Sequence, residues 1–99
     1  MTLQQLQNWV ANDWEQHSKE MPSVELQLLY MMEESGEVAE AIRKTNGAKA
    51  RKDVKVDLGS EMADLIVAIT TLANHFDIDL TSEISHFQRR LAERHAQGF

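Results

Sequence analysis

Apolar residues recur at three- and four-residue intervals along four stretches of this 99-residue chain. That is the spacing of amphipathic helices rather than strands. Leu3, Leu6, Val10, Trp14 and His17 trace one stripe. Thr2 is placed to cap this helix, with Gln5 reaching back in a capping box, and His17 reads as a partly buried packing residue. Met21-Pro22-Ser23 interrupts the pattern, and Ser23 caps a second helix to about Thr45, where Asn46-Gly47 is a stop signal. After a basic loop, a third helix is expected to start between Asp57 and Ser60 and run to about Phe76. Asp77-Ile78-Asp79 connects it to a fourth, capped by Thr81 and ending near Ala96. There is no internal repeat, low-complexity tract or linker. The expected architecture is all-α: four helices in a single domain, 1–99.

The third helix departs from simple amphipathicity. Met62-Ala63-Asp64-Leu65-Ile66-Val67-Ala68-Ile69 is apolar almost all round except at Asp64, which predicts a central, buried helix. At about 100° per residue, Leu65, Ala68 and Leu72 lie within about 40° of Glu61, so that acid is flanked by apolar surface. An ionised, unpaired carboxylate is costly there, and a cation relieves the cost.

The second helix carries its own acids. Tyr30, Val38 and Ala41 lie within about 40° of Glu34, Glu37 about 60° away, Glu33 about 100° and Glu40 about 120°. Glu34 and Glu37 are the better ligand candidates; Glu33 is peripheral and Glu40 solvated. Gly36, costing about 1 kcal/mol mid-helix relative to Ala, suggests close packing or ligand approach. The pattern is Glu-Glu-x-x-Glu, 23 intervening residues, then Glu-x-x-Asp. Two adjacent helices can converge these oxygens on a hard cation, with Mg²⁺ the obvious occupant.

Composition narrows the setting. The chain has 42% hydrophobic residues and no cysteine, which excludes disulfides and thiolate metal sites and is compatible with a reducing cytoplasm. Neither a signal sequence nor an apolar run of about 20 residues is present, so no membrane is expected and a soluble, cytoplasmic protein is the default. A net charge of −6 argues against nucleic-acid binding. The charge is uneven: Arg43, Lys44, Lys49, Arg51, Lys52 and Lys55, with only Asp53 among them, make residues 43–55 locally +5 and leave −11 elsewhere. A polyphosphate could meet the acids through a metal and this basic segment through its free oxygens.

Met32-Glu33-Glu34-Ser35-Gly36-Glu37-Val38-Ala39-Glu40-Ala41-Ile42, followed by Glu61-Met62-Ala63-Asp64-Leu65-Ile66, closely resembles the MazG-like nucleoside triphosphate pyrophosphohydrolases. The resemblance extends to an N-terminal helix bearing Trp14 and to Ile78-Asp79-Leu80 before the last helix. It implies subunits that assemble into helical bundles as a homodimer or homotetramer. It also implies Mg²⁺-dependent cleavage of a nucleoside triphosphate substrate to the monophosphate and pyrophosphate. Carried over, Glu34, Glu37, Glu61 and Asp64 look like the metal ligands, with Mn²⁺ a substitute for Mg²⁺, and Glu33 is similar to the glutamate that orients or deprotonates water.

Many relatives hold phosphates with a Lys, an Asn and an Arg in the last helix. Here that segment offers Arg89, Arg90 and Arg94, and Lys49, Arg51, Lys52 and Lys55 are further candidates. For the base, Trp9, Trp14 and Tyr30 present flat faces, and Asn12, Gln16 and Asn74 present paired donors and acceptors. Trp14 also suits the core, and Met31, Met32 and Met62 suit core or interface. No Gly-x-x-x-x-Gly-Lys-Ser/Thr phosphate loop occurs.

Two rival readings compete. Glu83-Ile84-Ser85-His86 supplies one Glu-x-x-His pair of the kind used in di-iron bundles, but the other acids have no nearby His. A non-catalytic helical interaction module would leave the acids of the third helix without a reason.

Overall fold

Thr2 and Gln5 close both arms of a capping box. The Gln5 amide N–H donates to Thr2 Oγ1 (3.1 Å), and the Thr2 N–H donates to Gln5 Oε1 (2.7 Å). A computed structural model describes residues 1–17, 22–45 and 52–98, of which 45 and 52–57 are described by backbone alone. From the capping box runs α1 (Leu3–His17), followed by α2 (Val24–Thr45), α3 (Lys52–His75) and α4 (Leu80–Ala96). No strand occurs among the described residues.

Ser23 caps α2, its Oγ accepting from the Leu26 N–H at 3.1 Å. The Asn46-Gly47 stop lies outside the described residues. Two boundaries differ from expectation. α3 begins at Lys52, at least five residues early, because an established helix extends at little further cost; the penalties of Val54, Val56 and Gly59 are small beside a 24-residue helix. The cap of α4 is Asp79, not Thr81: its carboxylate accepts from the Thr81 N–H (3.1 Å) and from Ser82 Oγ (2.9 Å). Asp77, at φ 53°, turns the chain sharply just before it.

α2 and α3 form an antiparallel pair, Gln27 meeting Ala68 and Glu34 lying beside Glu61 and Asp64. α1 packs on α3 and touches α4. Among the described residues, the buried apolar ones are small: Val10, Ala41, Ala68 and Ala73. Thr70 and Thr71 are also buried, their hydroxyls donating to the carbonyls of Ile66 and Val67, one turn back.

Much apolar surface remains uncovered. α3 is central, but Met62, Ile66, Val67 and Ile69 are exposed rather than buried, because α1 and α2 cover only part of its circumference. Leu29 (60% exposed), Met32 (61%) and Phe87 (52%) are open as well. α4 buries no residue. His17 is exposed, contrary to its place on the stripe, because it sits in the last turn of α1. A Cβ at Gly36 would meet nothing within 4 Å, so no packing contact within this chain requires that glycine. No helix among the described residues is long and apolar enough to cross a membrane.

Candidate metal centre and adjoining cavity

Because α2 and α3 run antiparallel, the Glu34 turn of one faces the Glu61–Asp64 turn of the other. One ligand oxygen from each of Glu34, Glu61 and Asp64 lies within 4.8 Å of the other two. Glu34 and Glu61 are half-buried and Asp64 is exposed. Glu34 Oε2 and Glu61 Oε2 are shut off from solvent and have no hydrogen-bond partner. Such orphaned acceptors are costly unless something positive meets them.

The electrostatics of the cluster agree. Burial, then the charge and hydrogen bonding of Glu37, then the charges of Asp64 and Glu33, hold the Glu34 pKa above the usual carboxylate range. Hydrogen bonding with Glu37, burial, and the charges of Glu37, Asp64 and Glu34 push Glu61 up to about 7. Glu37 therefore stands against both. Glu40, on another face of α2, is exposed and paired with Arg43 at 2.6 Å, and its pKa is lowered by that hydrogen bond. The cluster is a set of hard oxygen donors that resist being ionised together, the arrangement a divalent cation stabilises.

Beside the acids, α1, α2 and α3 line an open cavity of about 590 Å³. Glu34 and Asp64 stand at its acidic end, while Trp9, Trp14 and Tyr30 supply aromatic wall and Val67 and Ala68 apolar wall. Trp14 is half-buried, so it serves both packing and cavity.

Residues 23–99 match the MazG nucleotide pyrophosphohydrolase domain. The chain belongs to that family. The match opens at Ser23, the cap of α2, and so contains every acid of the cluster, while α1 with its two tryptophans lies outside it. Comparison with curated proteins gives no match.

Other candidates in this MazG chain are not drawn together. Asn74 is about 15 Å along α3 from Asp64 at 1.5 Å per residue. Its side chain is taken up by Gln7: Asn74 Nδ2 donates to the Gln7 carbonyl (3.0 Å), and Asn74 Oδ1 accepts from Gln7 Nε2 (3.1 Å). Arg90 and Arg94 lie on exposed α4, Arg90 6.0 Å over the Phe87 ring, and neither lines the cavity beside the acids. Lys49 and Arg51 fall outside the described residues; Lys52 and Lys55 are in the first turn of α3, their side chains undescribed. Glu83 and His86 are exposed, and among the described residues the group able to hold an ion is Glu34, Glu61 and Asp64.

Two buried amides escaped the sequence reading. Gln27, 4% exposed, lines the cavity, and Gln7, 7% exposed, ties α1 to the end of α3 and the start of α4. Each had a signal. Gln27 is two turns before Glu34, within about 20° on the helix, and Gln7 lies about 20° from Trp14 inside the apolar stripe.

Proposed function

We propose that this MazG domain, a single unit over 1–99, hydrolyses nucleoside and deoxynucleoside triphosphates to the monophosphate and pyrophosphate with Mg²⁺ as cofactor. The observation that carries the reading is the pair of buried, unpartnered oxygens on Glu34 and Glu61, set beside Asp64 at the acidic end of an aromatic-walled cavity. The donors are all carboxylate oxygens, which suit Mg²⁺ or Mn²⁺ over softer ions. Glu34, Glu37, Glu61 and Asp64 would hold the ion. When bound, it supplies charge screening, polarisation of a phosphoryl oxygen and a lowered pKa for water.

The chain's own residues do the rest. Glu33, exposed and next to Glu34, accepts the proton of the attacking water. Trp14 stands where a base or sugar packs while the triphosphate reaches the acids. Lys49, Arg51, Lys52 and Lys55, or Arg90 and Arg94 from a second subunit, neutralise the free phosphate oxygens. The assembly is a homodimer or homotetramer, and the setting is cleaning of the cytoplasmic nucleotide pool.

The test is incubation with each ribo- and deoxyribonucleoside triphosphate plus Mg²⁺, with products resolved. Pyrophosphate and monophosphate are expected, and chelation should stop turnover. Activity sustained in excess EDTA, or stepwise release of inorganic phosphate, rejects the chemistry.

A further inference from the structure

The cavity beside the acids carries several hydrogen-bond acceptors in its lining. Gln27 Nε2 donates one of its two hydrogens to the Ala68 carbonyl at 3.5 Å, while Oε1 is buried and unpartnered. Thr71 spends its single hydroxyl hydrogen on the Val67 carbonyl at 2.9 Å, so only its lone pairs remain. Asp13, exposed on α1, adds a carboxylate, which only accepts. Away from Glu34 and Asp64, three polar side chains on three helices thus offer acceptors to whatever enters. The Tyr30 hydroxyl can donate or accept and is neutral in the choice, while the indoles of Trp9 and Trp14 offer stacking faces and one N–H each.

From these acceptors we infer that the cavity selects nucleotides whose base carries an exocyclic amine where uracil, thymine and hypoxanthine carry an oxygen. Cytosine and adenine present a two-hydrogen amine beside an accepting ring nitrogen, whereas uracil, thymine and hypoxanthine present an oxo group beside one ring N–H, so the amine-bearing bases supply more hydrogens to acceptors along that edge. An oxo group in the same place would set oxygen against oxygen and leave the Gln27 acceptor unmet. The inference rests on the reading of the acidic end as a triphosphate site. It goes beyond the family match, because Asp13 lies before residue 23, where that match begins.

The experiment is calorimetric titration of the full chain, with Mg²⁺, against size-matched pairs of monophosphates: dCMP with dUMP, and dAMP with dIMP. The amine-bearing member of a pair should bind about ten- to a hundredfold tighter. Gln27→Met and Asp13→Asn should each bring the ratio toward one. Should Gln27→Met fail to fold by circular dichroism, the exposed Asp13→Asn still carries the test. Equal or reversed affinities within both pairs, no binding by either member, or a ratio unchanged in every folded variant overturns the assignment. Because binding is read rather than turnover, absent hydrolysis would count against the proposed reaction and leave this result standing on its own.

Discussion

Gln7 and Asn74 clasp each other through two hydrogen bonds, one side chain to side chain and one from the Asn74 amide to the Gln7 carbonyl. The same Gln7 side chain donates to the Ile78 carbonyl (2.7 Å) and accepts from the Leu80 N–H (3.0 Å). One glutamine therefore fixes where α1 crosses α3 and where α4 departs. Asn74→Ala should destabilise the fold by about 1–3 kcal/mol, since part-buried groups of Gln7 lose their partner. The melting temperature should fall by about 4–8 °C per kcal/mol, with KM for nucleotide unchanged. A raised KM at an unchanged melting temperature would return Asn74 to the base-binding residues.

The acids should separate by position. Glu34→Gln, Glu37→Gln, Glu61→Gln and Asp64→Asn each keep the shape and remove a charge, so each should lose most turnover and weaken Mg²⁺ binding. Glu40→Gln, which breaks only an exposed pair with Arg43, should stay near wild type. Turnover and metal titration of the five variants decide this. Wild-type behaviour in all five, or inactivity confined to Glu40→Gln, would reject a shared metal site.

Stability without metal should depend on pH in a definite direction. The Glu61 carboxyl is raised from an ordinary 4.5 to about 7, so the folded state holds a proton that the unfolded state has already released. Its contribution is full below about pH 4.5 and is lost as pH rises through about 7. Chelated protein should thus lose melting temperature from this group as pH rises from 4.5 to about 7. Mg²⁺ competes with that proton, so its stabilising effect should grow over the same interval. Glu61→Gln should flatten the metal-free profile, and a profile unaltered by the substitution would remove Glu61 as its source.

The uncovered apolar surface predicts self-association. The radius of gyration is 16.7 Å, against about 13 Å for a compact chain of this length, and Leu29, Met32, Ile66 and Phe87 are each at least half exposed. Sedimentation at micromolar concentration should give a dimer or larger. A fully active 11.3 kDa monomer would contradict it.

Local rules made much of this chain legible. The Thr2–Gln5 capping box and the Ser23 cap depend on residues three apart, and the amphipathic stripes depend on a 3.6-residue period, so both can be read without knowing the fold. The spacing of Glu34, Glu37, Glu61 and Asp64 likewise marks acids on defined helix faces. The start of α3 at Lys52 is not legible locally, because the penalties of Gly59 and the valines are visible in sequence while the support of the downstream helix is cooperative. Asp79 and Thr81 are both competent caps in sequence, and only backbone geometry chooses between them.

The sequence by itself determined the helices, most of their ends and the faces on which the acids lie, since these follow from dihedral preference and periodicity within a few turns of chain. Only the tertiary structure decided that the Glu34 turn meets the Glu61–Asp64 turn with two oxygens left unpartnered. It also decided that Gln27 belongs to the cavity, that Asn74 belongs to a clasp with Gln7, and that α3 is central yet partly bare. Each of these depends on how far one helix is slid and rotated against another, a choice made by packing between residues distant in sequence, which no local period encodes.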